Sequence, residues 1–223
     1  MNVRAEGTMS RIVHIGPVGL EGILGAPPDP RGLVIFAHGS GSSRLSPRNN
    51  AVAQALTRSG FATLLFDLLT PLEAENRDNV FDIPLLGERV TEAVAWARED
   101  FQTGPLPIGL FGASTGAAAA LVAAAEKPRD IAAVVSRGGR PDLASTRLEK
   151  VQAPTLLIVG GADSIVIELN AAAFERLVCK KQFHIVPGAT HLFEEPGTLE
   201  EVVREASAWF GVHLSRRPKE SLR

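Results

Sequence analysis

The sequence predicts a single α/β domain in which a mostly parallel sheet of about seven or eight strands is covered by helices on both faces. Apolar runs and amphipathic segments alternate along the 223 residues. Several apolar runs are continuous and end in glycine, which is typical of strands that are buried on both faces. With 45% hydrophobic and 22% charged residues, the chain has the composition of a globular protein with one sizeable core.

The predicted elements begin with a β-hairpin, because residues 11–15 and 20–24 flank the turn sequence Gly-Pro-Val-Gly. After the turn-rich residues 27–32, buried strands and helices alternate. The predicted parallel strands cover residues 32–39, 61–67, 106–112, 131–138, 153–161 and 181–188. Helical spacing of apolar residues predicts helices over residues 46–60, 83–100, 114–127, 165–178 and 199–212.

Three parts of the chain are expected to lie outside this regular pattern. Residues 1–8 and 215–223 are expected to be frayed ends of the domain. Residues 68–82 are polar and without clear period, which predicts either a lid or binding segment or a simple surface excursion. The connection between the fourth and fifth parallel strands is too short for a large helical cap, so we expect a minimal cap.

The overall charge and the cysteine content exclude several classes of function. A formal net charge of -2 and a pI near 6.2 do not favour binding to nucleic acid or to anionic membranes. The amino-terminal residues lack the apolar region of a secretory signal, and no apolar run is long enough to span a bilayer, which predicts a cytoplasmic location. Cys179 is the single cysteine, and no ligand spacing predicts a metal or another cofactor.

Ser114 is the candidate nucleophile. It lies in Gly-Ala-Ser-Thr-Gly, residues 112–116, between a predicted strand and a predicted helix. This context is required of a nucleophile elbow, in which a sharp turn lifts the serine hydroxyl above the edge of the sheet. The small residues could instead serve only close packing of helix on strand, but that alternative does not require a serine.

A base and an acid follow Ser114 at the ends of later strands. His191 follows the last predicted strand in a loop of small residues, and Asp163 follows the strand before it. A serine hydroxyl needs a base to take its proton and a third group to orient that base. Asp142 is a competing acid that follows the fourth parallel strand, and His184 lies inside a strand, where a packing role is expected.

Backbone amides are the candidates for an oxyanion hole, because the chain contains no tyrosine. The amide of Thr115 directly follows the candidate nucleophile, and the amide of Ser40 or Gly41 lies in the glycine-rich loop after the first parallel strand. This loop could also be read as a phosphate cradle, but it lacks the spacing of the known phosphate-binding loops.

Arginines cluster near the same predicted edge of the sheet. Arg44 follows the glycine-rich loop, and Arg137 and Arg140 follow the fourth parallel strand. A guanidinium group suits a carboxylate or phosphate, so these residues could bind an anionic group of a small-molecule ester. The alternative is that they pair with nearby acidic residues and pin the loops.

The segments around these residues resemble the α/β-hydrolase superfamily and, within it, the dienelactone-hydrolase-like family, which includes hydrolase domains found alone or fused to phosphoribosyltransferases. The resemblance covers residues from about 33 to 212 and rests on segments such as VIFAHGSGSSRLSPRN, GLFGASTGAAAAL, PTLLIVGGADSIVIELN and IVPGATHLFEEPGTLEEV. It implies an α/β-hydrolase fold with Ser114 as nucleophile, His191 as base and Asp163 as acid.

The chain departs from the resemblance at its nucleophile. Dienelactone hydrolases carry cysteine there, whereas this chain has Ser114, and Cys179 lies elsewhere. Dienelactone as the substrate therefore does not carry over. The predicted activity is hydrolysis of carboxylic esters with small or extended acyl groups through an acyl-enzyme. The alternatives are an acyltransferase or thioesterase with the same three residues, or a catalytically silent binding module.

Overall fold

An eight-stranded sheet forms the centre of the protein. The structure is a computed structural model that describes residues 9–214, so both termini that were expected to fray lie outside the described residues. The strands are β1 Met9–Ile15, β2 Leu20–Ala26, β3 Leu33–Ala37, β4 Ala62–Phe66, β5 Ile108–Ala113, β6 Ile131–Arg137, β7 Thr155–Gly160 and β8 Lys181–Val186. The helices are α1 Pro47–Arg58, α2 Pro71–Glu75, α3 Arg77–Phe81, α4 Ile83–Glu99, α5 Thr115–Glu126, α6 Ser164–Arg176 and α7 Thr198–His213.

The strands lie in the order β1-β2-β4-β3-β5-β6-β7-β8. The amino-terminal hairpin pairs antiparallel within itself and with β4, and all strands from β4 to β8 along this order are parallel. Parallel neighbours need a crossover connection, and the helices between the strands provide it. The prediction of a mostly parallel sheet of seven or eight strands is confirmed.

Helices cover both faces of this sheet, as β3 illustrates. All five of its residues are buried. Leu33 and Ile35 belong to a core cluster that also contains residues of α4 and α5, whereas Val34 and Phe36 belong to a second cluster with residues of α1 and α7. Successive side chains of a strand point to opposite faces, so an apolar run without alternation requires cover on both sides.

Residues 68–82 are more regular than the sequence indicated. They contain α2 and α3, each of only five residues, which is too short to show a helical period. Local capping forms α2: the Thr70 hydroxyl accepts from the Glu73 amide, and the Glu73 carboxylate accepts from the Thr70 amide. Pro141–Lys150 forms a kinked 3-10 segment that the sequence analysis also missed.

Helix α5 packs very closely against the sheet at its first turn. A Cβ atom added to Gly116 would lie 2.2 Å from the carbonyl oxygen of Ala37 and 2.4 Å from that of His38. At Gly112 the added atom would lie 2.4 Å from the Cα of Ala117. These glycines are therefore required by close backbone approach, and that approach places the amino end of α5 beside the end of β3.

Replacement of Gly116 by alanine is expected to destabilise the protein by about 3 kcal/mol, because the new methyl group meets backbone that cannot move aside easily. The free energy of unfolding in urea measures the change. Gly211→Ala in α7 is the matched control, because nothing lies within 4 Å of its added Cβ. The control is expected to be neutral or to stabilise by about 0.5–1 kcal/mol. Equal effects of the two substitutions would contradict the close-approach argument.

Candidate active site

Ser114 occupies a strained turn between β5 and α5. Its backbone has φ 51° and ψ −123°, a conformation that costs a non-glycine residue about 1–3 kcal/mol. The Ser114 carbonyl accepts hydrogen bonds from the amides of Ala117 at 3.1 Å and Arg140 at 3.0 Å. These contacts hold the turn in a geometry that leaves the serine side chain half-buried at the carboxyl edge of the sheet.

Asp163 and His191 lie together at the same edge. The Nδ1 atom of His191 and the Oδ2 atom of Asp163 are 2.8 Å apart. A carboxylate only accepts hydrogen bonds, so Nδ1 carries the proton and Nε2 has its lone pair available. The carboxylate is the more buried partner, with 17% of its side chain exposed against 39% for the imidazole. This arrangement orients the ring.

Backbone contacts hold the two loops against each other. The amide of Ala162, beside Asp163, donates to the carbonyl of Ala189 at 2.9 Å. A Cβ atom added to Gly160 would lie 2.4 Å from the same carbonyl oxygen, so only glycine permits this approach. The spacing between the acid and the imidazole is therefore fixed by the main chain rather than by the side chains alone.

Ser114 and His191 line one cleft of about 210 Å³, which we call the Ser114 cleft. No hydrogen bond joins the two side chains in the described residues. Such contacts are often long before substrate binds and shorten in the substrate complex. The two side chains therefore share a cleft but are not hydrogen-bonded to each other in the unbound arrangement.

A turn at residues 39–42 also lines the Ser114 cleft. The amide of Ser42 donates to the carbonyl of Gly39 at 3.2 Å, and Gly41 has a φ of 68°. A Cβ atom at Gly39 would lie 2.9 Å from the Cβ of Ser114, so the turn lies directly against the serine.

Three amides near this turn are available as donors. Within residues 9–214, the amides of Ser40, Gly41 and Thr115 donate to no protein acceptor. The sequence named these same three amides as candidate oxyanion donors. Thr115 directly follows Ser114 and Ser40 lines the Ser114 cleft, whereas Gly41 does not line that cleft.

A second cavity of about 360 Å³ lies on the other side of the turn, beneath α2 and α3; we call it the covered cavity. Its lining is mainly apolar, and Thr115 and Ser40 connect it to the serine. The lining includes Leu68, Leu69, Val80 and Leu86. Residues 68–82 therefore cover a cavity, which agrees better with a lid or binding segment than with a simple surface excursion.

His38 is a residue of this site that the sequence analysis passed over. Its Nε2 atom accepts from the amide of Leu68 at 3.1 Å, so Nδ1 carries the proton and donates to the carbonyl of Gly39 at 2.9 Å. The imidazole thus links the turn beside Ser114 to the start of the segment over the covered cavity. Burial lowers its pKa below 6.5, although the Gly39 carbonyl and Asp67 act in the opposite direction. A histidine between a buried strand and two glycines was the signal available in the sequence.

The structure separates the three candidate arginines. Arg44 is bound through its amide and guanidinium to Asp67 and also contacts Glu21. Arg140 makes a two-pronged contact to Asp142 at 2.9 and 2.8 Å, which raises the pKa of that guanidinium. Both therefore have the loop-pinning partners that the sequence allowed as the alternative.

Arg137 differs from the other two. It is only 7% exposed, lines the Ser114 cleft and has no carboxylate partner among the described residues.

The remaining candidates lie apart from Ser114 or have other partners. Asp142 binds Arg140 and does not contact His191. His184 in β8 is bound to Glu201 at 2.7 Å, which fits a structural role. The Cys179 thiol contacts the Thr155 hydroxyl, and burial raises its pKa, so it is a poor nucleophile.

Residues 9–214 hold neither a candidate metal cluster nor a membrane-spanning helix. Over residues 9–214, no group of three or more His, Cys, Asp or Glu side chains could hold a metal ion. No helix in that range is both long enough and apolar enough to cross a membrane.

Comparison with known proteins places these residues in a family. The family described as "Dienelactone hydrolase family" matches residues 20–212. The crystal structure of a dienelactone hydrolase from Anabaena variabilis is 53% identical, covers 93% of this chain and 98% of its own, and superposes with a TM-score of 0.89. Est1E from Butyrivibrio proteoclasticus has the same fold at 18% identity, with 92% and 98% of the two chains covered and a TM-score of 0.77.

Curated relatives carry a different name. Two proteins of Mycobacterium tuberculosis, each provisionally named a phosphoribosyl transferase, are 60% identical over 202 residues. The match covers 91% of this chain but only 46% of each relative, so the chain spans about half the length of the curated relatives it matches. This chain has the α/β-hydrolase fold that the sequence resemblance implied, and it shares that fold with the Anabaena variabilis structure.

The lowered pKa of His38 predicts a pH-dependent stability. Below pH 6.5 the unfolded chain binds a proton at His38 more readily than the folded chain, so folded stability falls as the pH falls through this region. His38→Gln is expected to remove this part of the dependence, which for one group is at most about 1.4 kcal/mol per pH unit. Urea unfolding of both proteins between pH 7 and pH 5 measures it, and parallel curves would contradict the prediction. His213, whose pKa burial also lowers, is common to both proteins and cancels.

Proposed function

Because the chain belongs to the dienelactone hydrolase family, we propose that it is a serine hydrolase that cleaves carboxylic esters. One observation carries this proposal. Ser114 lies in a strained strand-to-helix turn and shares a cleft with His191, whose Nδ1 is bound to Asp163 at 2.8 Å. These are the parts that an acyl-transfer reaction needs: a nucleophile, a base with a free nitrogen, and an acid that orients the base.

The first half of the proposed reaction forms an acyl-enzyme. Nε2 of His191 takes the proton of the Ser114 hydroxyl as Oγ bonds to the ester carbonyl carbon. The carbonyl oxygen becomes an oxyanion, and the imidazolium is stabilised by Asp163. The bond to the alcohol oxygen then breaks, and His191 gives its proton to the leaving alcohol.

The second half repeats the chemistry with water. His191 takes a proton from a water molecule, whose oxygen bonds to the acyl carbon. The bond to Ser114 Oγ then breaks, the serine recovers its proton from the imidazolium, and the carboxylic acid leaves. Every proton that His191 accepts is returned, so the enzyme ends as it began.

The amide of Thr115 and that of Ser40 or Gly41 are proposed to bind the oxyanion. Thr115, Ser40 and Gly41 line the covered cavity, and Ser40 also lines the Ser114 cleft. Within residues 9–214, their N–H groups donate to no protein acceptor. Backbone donors fixed before the reaction need no reorganisation as charge develops, and one such donor contributes about 2.7–4 kcal/mol to the transition state. We expect His38 to be a positioning residue here, because it holds the carbonyl of Gly39 next to these amides.

The covered cavity is proposed to hold the apolar part of a small or extended ester. Its mainly apolar lining and volume of about 360 Å³ suit a short acyl chain. A shallow site with a minimal cap suits such molecules better than deeply buried lipids. We accordingly propose a small-molecule ester as the partner of this chain, processed in the cytoplasm without a cofactor.

Neither the dienelactone hydrolase from Anabaena variabilis nor the two proteins of Mycobacterium tuberculosis indicate the substrate of this chain directly. Serine at the position where the resemblance led us to expect cysteine makes dienelactone a poor choice for this chain. The transferase name belongs to proteins about twice as long as the matching segment, so we take the activity from the family that matches residues 20–212.

Substitution of Ser114 by alanine is expected to abolish labelling by a fluorophosphonate probe and to lower kcat on p-nitrophenyl esters by 10³-fold or more, since the nucleophile is removed (on the order of the losses seen for such nucleophiles). Labelling followed by gel fluorescence, with ester assays on the same samples, measures both effects. Persistent labelling of the variant would place the nucleophile elsewhere. A parallel panel of acyl-thioesters separates an esterase from a thioesterase.

Asp163→Asn is expected to lower kcat by about 10³- to 10⁴-fold, because an amide does not hold His191 in the required tautomer. Asp142→Asn is the matched control: it changes the same group on the neighbouring strand end, and its partner is Arg140 rather than His191. We expect the control to retain kcat within about twofold. If the Asp142 variant were the more damaged one, the acid would be Asp142.

A further inference from the structure

The feature that the proposed mechanism leaves unused is the guanidinium group of Arg137. It lies at the end of β6, is only 7% exposed, and lines the Ser114 cleft. Its Nε and Nη1 atoms are buried without a hydrogen-bond partner, and its Nη2 atom reaches only the Asn49 amide oxygen, at 3.5 Å. Buried arginines are normally paired with a carboxylate, so this side chain is exceptional in the described part of the protein.

The surroundings of Arg137 disfavour its positive charge and do not balance it. Burial and the neighbouring Arg48 lower the pKa of Arg137 to about 10, which still leaves it charged at neutral pH. Phe193 lies beneath the guanidinium, with its ring centre 5.7 Å from Cζ. This contact holds the group in place but supplies no countercharge.

Among residues 9–214, no acidic side chain lines the Ser114 cleft. Its charged lining residues are Arg48 and Arg137, and the carboxylate that pairs with Arg48 belongs to Glu194, which is 62% exposed outside the cleft. The positive potential of the cleft is therefore concentrated next to the candidate nucleophile. An anion in this cleft would lie against the guanidinium and supply the charge that the protein lacks.

We propose that Arg137 is the anion receptor of the substrate site, so that the ester carries a carboxylate or phosphate group in the Ser114 cleft and its apolar group in the covered cavity. This inference rests on the proposed function and names its substrate class. It also selects one of three arginines, because Arg44 and Arg140 already have carboxylate partners. The two chambers are adjacent, because Gly39, Ser40 and Ser42 line both of them.

The deciding experiment is competitive inhibition of a neutral ester, p-nitrophenyl hexanoate, by glutarate and by inorganic phosphate. Both anions present the shared chemistry, and their inhibition constants tell which of the two the site prefers. In Arg137→Gln the constant of the preferred anion is expected to rise about 10- to 100-fold, the range for hydrogen bonds to a charged group. In the matched control Arg140→Gln it is expected to stay within twofold. Equal constants in the wild type and Arg137→Gln, or no inhibition of the wild type by either anion, would overturn the proposal.

A pair of esters then locates the anion along the substrate. Mono-p-nitrophenyl adipate and p-nitrophenyl hexanoate differ in that a carboxylate replaces a methyl group at the end of the acyl chain. If the ratio of their kcat/KM values falls in Arg137→Gln together with the weaker inhibition, the anion belongs to the acyl group. If inhibition weakens while the ratio is unchanged, the anion belongs to the alcohol.

Stability separates this role from a structural one. Arg137→Met fills a similar volume without a buried charge, so its melting temperature is expected to equal or exceed that of the wild type. A structural arginine would instead lose stability on this change, and a clear fall in melting temperature would overturn the proposal. If the wild type hydrolyses no ester and takes no fluorophosphonate label, the proposed function fails, and calorimetric titration of phosphate and glutarate into the wild type and Arg137→Gln still decides the anion site.

Discussion

A Cβ atom at Gly116 would stand 2.2 Å from the carbonyl oxygen of Ala37, and this close approach of α5 to the end of β3 is the constraint from which the site follows. It accompanies the contact of the turn at residues 39–42 with Ser114, where a Cβ atom at Gly39 would lie 2.9 Å from the Cβ of the serine. Gly160 likewise allows a close backbone approach between the loops that carry Asp163 and His191. In both places the missing side chain of a glycine sets a distance between backbones. The geometry of the site is therefore a property of the main chain, which suits a reaction that needs fixed donors.

The strain at Ser114 has to be offset by the elements on either side of it. A positive φ at serine costs about 1–3 kcal/mol, a cost that persists only where the surroundings fix the conformation. All six residues of β5 are buried, as are residues 115–124 of α5. Burial of their apolar side chains at about 0.8 kcal/mol for each methylene exceeds the strain of one residue several-fold. The alanines of α5 serve the same end, because their small size lets the helix lie on the sheet closely enough to hold the turn.

The sequence predicted most of the fold because its signals are local. Continuous apolar runs that end in glycine, such as the one that became β7, can be read without knowledge of their neighbours. The five-residue helices α2 and α3 could not be predicted in this way, because they are shorter than two helical turns and arise from capping by Thr70 and Asn76. The positions of Ser114, Asp163 and His191 were predictable from strand ends, since the carboxyl ends of parallel strands meet at one edge. The contacts of His38 were not predictable from the sequence, because its partner Leu68 lies in the loop after a different strand, β4.

The ion-pair partners of the arginines depend on where the fold places their side chains, and the sequence alone does not predict this. Arg137 ends β6 and Arg140 follows three residues later, so nothing in the sequence distinguishes the two. In the fold, Arg140 forms an ion pair with Asp142 at 2.8 Å. Arg137 is buried beside Phe193 and has no carboxylate partner among residues 9–214. A buried charge without a partner costs several kcal/mol, and replacing such groups by apolar ones often stabilises a protein. No contact around Arg137 among residues 9–214 offsets this free-energy cost, since Asn49 and Phe193 only orient the guanidinium group. A destabilising charge beside the candidate nucleophile is therefore best explained by the proposed negative partner, which is present only when substrate binds.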